Sequence, residues 1–153
     1  MPINPNLKTV GTIMTMSDGK DLLPFYSARG IVHAIGSIGG AKVQRRTVNF
    51  ELVNLALSRA QKYTLTISAK DIRPPSRDDV WPGKIVIVGC GFTLSYPTSG
   101  GSPSRSVVSG STFVDGHGFT FYRPLLTMMI GNLPRSFDEW NASNDWHIDM
   151  EEV

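Results

Sequence analysis

The feature that most constrains this chain is a two-residue period of hydrophobicity. Near the C-terminus Trp146, Ile148 and Met150 alternate with Asp145, His147, Asp149 and Glu151. Successive side chains of a strand leave on opposite faces, so this pattern specifies a strand with one apolar and one acidic face. The same period sets Tyr63, Leu65 and Ile67 against Lys62, Thr64, Thr66 and Ser68. It also sets Val48, Phe50 and Leu52 against Thr47, Asn49 and Glu51. Ile85-Val86-Ile87-Val88 is continuously apolar and reads as a strand buried on both faces. Its continuation through Cys90, Phe92, Leu94 and Tyr96 carries Gly89 and Gly91 on the alternate face, which predicts a bulge or a close backbone approach.

Turn chemistry separates these segments. Gly and Pro account for 15 and 10 of the 153 residues. Asp115-Gly116-His117-Gly118 predicts a hairpin between Val114 and Phe119, and Gly110 interrupts the strand before it. Strands are expected over 8–16, 26–36, 44–54, 62–70, 84–96, 105–114, 119–131 and 144–153. Helix is scarce. Ser136 to Ala142 has a capping serine with Glu139 three residues on, which predicts one or two helical turns, and Val53 to Gln61 a weaker one. The expected fold is mainly β, an antiparallel β-sandwich or barrel of about eight strands with at most one or two short helices. Residues 1–7, with Pro2 and Pro5, are expected to form an extended N-terminal arm, and 8–153 a single β-domain ending in the acidic strand.

Several function classes lack their residues. No stretch is long and apolar enough for a membrane-spanning helix, and the first residues lack the basic start and apolar run of a secretion signal. No glycine-rich segment leads into the Lys-Ser/Thr of a phosphate loop, and no Gly-x-Ser-x-Gly elbow is present. Cys90 is the single cysteine, which excludes an intrachain disulfide and argues for inert packing. His33 lies in an apolar strand and reads as structural, and His117 sits at a hairpin tip. His147 between Asp145 and Asp149 is the one arrangement that resembles a metal site, but the sequence supplies no nucleophile or pocket to go with it. The reading is therefore of a non-enzyme with no cofactor, no metal and no specific nucleic-acid partner.

Charge is split along the chain. All fifteen Lys and Arg and seven acidic residues fall in 1–137, a net +8. Residues 138–153 hold six acidic residues and no basic one, a net −6. A basic surface meeting the acidic strand of another copy accounts for both blocks. On charge, Arg45, Arg46, Arg73 and Arg77 are the candidate basic side of an interface. Asp145, Asp149, Glu151 and Glu152 are the candidate acidic side, and Trp140 is an aromatic anchor.

A family resemblance points the same way. The chain has Arg46-Thr47-Val48-Asn49 followed by Leu52-Val53, the strand Lys62 to Ser68, and Asp71-Ile72-Arg73-Pro74-Pro75. It continues with Val80-Trp81-Pro82-Gly83, Val88-Gly89-Cys90, Phe121-Tyr122-Arg123-Pro124-Leu125-Leu126-Thr127-Met128 and Phe137-Asp138-Glu139-Trp140. Over roughly residues 44–153 this resembles small structural proteins encoded among the virion genes of tailed bacteriophages. The resemblance implies a virion protein assembled in the host cytoplasm, with other copies of itself (a ring or trimer) and neighbouring virion proteins as partners. It implies a place in the tail, neck or baseplate, or a role as a capsid cement or decoration protein. The alternative from the residues is a carbohydrate- or receptor-binding module presenting Trp81, Trp140 and Trp146, with Asp138, Glu139 and Asn141 as the polar cluster.

Overall fold

The computed structural model describes residues 14–20, 22, 31–38, 44–55, 61–70 and 78–153. The expected arm at 1–7 and the positions of Arg73 and Arg77 lie outside these residues. Among these residues thirteen strands form: β1 (Thr15–Ser17), β2 (Val32–Ser37), β3 (Gln44–Arg46), β4 (Leu52–Asn54), β5 (Tyr63–Lys70), β6 (Ile85–Gly89), β7 (Leu94–Pro97), β8 (Ser106–Val107), β9 (Phe113–Val114), β10 (Phe119–Tyr122), β11 (Pro124–Asn132), β12 (Arg135–Asp138) and β13 (Ser143–Glu152). The largest sheet runs β1-β6-β11-β13-β5-β2, with β8 added to β11 and β12 to β13. It is antiparallel throughout and curled into a half-barrel. A second sheet runs β7-β10-β9, and among the described residues β3 and β4 pair only with each other. The mainly-β, antiparallel expectation holds. Among the described residues no helix forms, and none is therefore long and apolar enough to cross a membrane.

Alternation explains the core. On β13 the side chains of Trp146, Ile148 and Met150 are buried, and their cross-strand partners on β5, Ala69, Ile67 and Leu65, are buried beside them. Met128 and Ile130 of β11, Val86 and Val88 of β6, and Met16 of β1 continue that inner face. Curling lets one sheet bury its own concave side, which Met14, Leu22, Val80 and Cys90 help fill. Each such side chain gains about 1.5–3 kcal/mol from burial. Gly89 lies opposite Thr15 so closely that an added Cβ would meet the threonine Oγ1. The sequence predicts a bulge or a close backbone approach here; what crowds Gly89 is instead the side chain of Thr15.

The strand count exceeds eight because several expected strands are broken. Residues 84–96 divide into β6 and β7, which belong to different sheets. The chain turns away where the Cys90 N–H donates to the Pro124 carbonyl at 3.0 Å. Ile85 to Val88 is buried on one face only, since Ile85 and Ile87 are exposed. Residues 44–54 are a hairpin rather than one strand. The expected helix at Ser136 to Ala142 is instead β12 and the turn into β13. There the Asp138 carboxylate accepts the Trp140 N–H at 3.0 Å, the Asn141 N–H at 3.3 Å and the Asn141 Nδ2–H at 2.6 Å. These bonds, led by the Asn141 side chain, hold the Asp138 carboxyl below its ordinary value. Such an Asx turn competes with the helix that the capping pattern suggested.

Candidate interaction surfaces

The β3–β4 hairpin is the most exposed apolar element. Thr47 N–H donates to the Glu51 carbonyl and Phe50 N–H to the Thr47 carbonyl, both at 2.9 Å, which closes a tight turn through Val48 and Asn49. Phe50 stands in the left-handed region at φ 63°. A hairpin of this kind usually puts Gly at that place, and a bulky residue there is strained by about 1 kcal/mol. Val48 is 96% exposed and Phe50 79% exposed, with Leu52, Val53 and Leu55 exposed beside them. An isolated two-stranded hairpin is marginal in water, and one this apolar presents surface that association would cover. Register sorts its charges. Arg46 pairs with Leu52, and Arg45 with Val53. Glu51 stands in the turn before β4, where its N–H donates to Thr47 Oγ1 at 3.2 Å. The Arg46 Nη1 donates to the Phe50 carbonyl at 3.0 Å, and among the described residues neither Arg45 nor Arg46 has a carboxylate partner.

The second surface is the convex face of the large sheet. One row across it reads Ile85, Met129, Glu151, Thr64, from β6 through β11 and β13 to β5. Ile85, Ile87 and Met129 are exposed, so an apolar patch adjoins the acidic stripe of β13. Within the stripe, Asp149 Oδ1 accepts the Thr66 hydroxyl at 2.8 Å, and its Oδ2 lies 3.8 Å from His147 Nε2. Asp145 is 3.9 Å from Lys70 Nζ. No group of three His, Cys, Asp or Glu side chains gathers into a cation site among the described residues.

Glu152 belongs elsewhere, which corrects its grouping with Glu151. It leaves on the concave side, its side chain only 9% exposed, 2.7 Å from Arg105 Nε. It also accepts the Tyr63 N–H at 2.9 Å. Arg105 donates to the Gln61 carbonyl at 2.7 Å and lies over the Tyr63 ring, 5.3 Å from its centroid. This cluster ties the start of β5, the approach to β8 and the end of β13 together. A second polar tie surrounds Arg123, a buried residue between β10 and β11. Its Nε donates to the Cys90 carbonyl at 2.7 Å and its N–H to Ser111 Oγ at 3.1 Å. Burial pushes the Cys90 thiol up to about 12, consistent with inert packing.

Other expected site residues divide. Trp140 is 95% exposed at the tip of the β12–β13 hairpin, with Phe137 exposed nearby. Trp146, which the sugar-site alternative counted as exposed, is in the core. The Asp138 and Asn141 cluster beside Trp140 is engaged in its own turn, which leaves a sugar ring few partners there. Of the nine described cations, four are held firmly within the chain: Lys62 by the Val153 carbonyl, Lys84 by Asp18 and Asp79, Arg105 by Glu152, and Arg123 by Cys90. The sequence missed the Arg105–Glu152 and Arg123 ties, whose partners lie 33 to 47 residues away. Comparison with protein-family models, with curated proteins and with solved structures finds no match.

Proposed function

We infer that the chain is a non-enzymatic structural component of a tailed-phage particle, placed in the tail or at the head–tail junction. It works by packing against copies of itself and against other virion proteins. The observation that carries this reading is the β3–β4 hairpin, an exposed apolar element whose strands, among the described residues, pair with each other and with no larger sheet. Exposed apolar surface of this kind marks a contact site. The resemblance over residues 44–153 and the charge split support the same reading.

The test is mass spectrometry of purified particles from the source phage, with antibody labelling of intact particles. The chain should be recovered in several copies per particle, with label at the tail or neck. Absence from particles refutes the virion role, and label over the whole capsid surface moves the chain to a cement role.

A further inference from the structure

We propose that the β3–β4 hairpin of one copy lies on the convex sheet face of a second copy, with Arg46 against Glu151 and with Phe50 and Leu52 on Ile85 and Met129. The inference rests on the reading of the chain as a self-assembling part and names the contact that does the assembling.

The two surfaces are complementary in both charge and polarity. The hairpin face that carries Arg46 and Leu52 has a cation with no carboxylate partner among the described residues, beside exposed apolar groups. The sheet face carries an exposed carboxylate, Glu151, directly beside exposed Met129, with exposed Ile85 one strand further on. Adjacent strands lie about 4.8 Å apart, so Glu151 and Ile85 are separated by about 10 Å. On the hairpin, Arg46 and Leu52 start about 5 Å apart at their Cβ atoms, and the long arginine stem widens that to a similar span. Opposite charges with apolar groups at matching spacing fix a register as well as an attraction. Both halves are present on every copy, which makes a second copy the natural occupant. The donor surface differs from the acceptor surface, so the contact is head-to-tail, and it closes a ring or extends a filament. Each copy then gives one hairpin and receives one.

The experiment uses the full chain, with mass measured by light scattering and sedimentation in low salt. Arg46→Glu and Glu151→Arg reverse one charge each, and the double variant restores an opposite pair. Both positions are exposed, so neither change removes a core contact, and far-UV circular dichroism checks that each variant folds. Wild type should be larger than a monomer at micromolar concentration. Each single reversal should weaken association at least about tenfold, and the double variant should regain most of it. A monomeric wild type overturns the proposal, as do single variants with unchanged mass or a double variant no better than the singles. A monomeric chain that is nonetheless recovered in particles overturns this contact and leaves the virion role standing. Charge-swap rescue in a chain absent from particles does the reverse.

Discussion

Replacing Arg105 by Met is expected to remove about 2–3 kcal/mol of folding stability. The magnitude follows from what the change strands. The Glu152 side chain is 9% exposed, with Arg105 Nε at 2.7 Å and the Tyr63 N–H at 2.9 Å. Breaking a fully buried ion pair by removing one partner costs about 3–5 kcal/mol. Arg105 is 26% exposed, so water replaces part of what the guanidinium supplied, which lowers the figure. The lost contact with the Tyr63 ring adds about 0.5–1 kcal/mol. For a chain of this size the total corresponds to a fall in Tm of about 5–10 °C. The assay is urea unfolding of Arg105→Met, Glu152→Gln and the double variant. The two residues share partners, so the double change should be smaller than the sum of the singles by about 1–2 kcal/mol. Additive singles would refute the reasoning. So would an equal loss from Glu151→Gln, whose side chain leaves on the opposite face and should change stability by less than about 0.5 kcal/mol.

Two further predictions concern titratable groups. His33 has its pKa held below 6.5, first by burial and then by the Arg123 charge. The unfolded chain therefore takes up the proton more readily, so stability is complete above about pH 6.5 and falls as pH drops below it. The difference in Tm between wild type and His33→Gln, followed from pH 8 to 5, should show this fall in wild type alone. Cys90, with its thiol pushed up to about 12 in the core, should resist a thiol-reactive dye at pH 8 in the native protein and react at once in denaturant. Prompt labelling of the native chain would place it outside the core.

The alternation that made β13 and β5 readable also contained information that charge obscured. Glu152 shares its parity with Ile148 and Met150, so the two-residue period already assigns it to the concave side, whereas the acidic run suggested a companion to Glu151. The run Ile85 to Val88 shows the opposite limit. Hydrophobicity records that a surface is to be covered, but not by which chain, and Ile85 and Ile87 face outward. Arg123 and Arg105 carried no local signal, because their partners come from distant segments. The β12–β13 turn was missed because one aspartate can serve either as an early helical residue or as the acceptor of an Asx turn. Only pairing of β12 with Ser143 to Trp146 selects the second.

Phe50 brings these strands of argument to one residue. The period of two put it with Val48 and Leu52 on a single strand, yet its backbone is left-handed and the segment is a hairpin. Gly or Asn at that place would relieve about 1 kcal/mol of backbone strain. Natural sequences break a local rule mainly where function requires it. An exposed phenyl ring gains little from its own fold, and in the proposed contact its return comes from the second copy that covers it. The prediction is therefore two-sided. Phe50→Asn should tighten the free hairpin, seen as up to about fivefold slower hydrogen exchange at the Thr47 amide, which donates to Glu51 across the turn. If the proposed contact forms, the same change should weaken self-association, because it removes the ring that the contact buries. Slower exchange with unchanged association would leave the ring without a role in assembly. Faster exchange would mean that the ring stabilises the hairpin within its own chain, and the strain argument would fail with it.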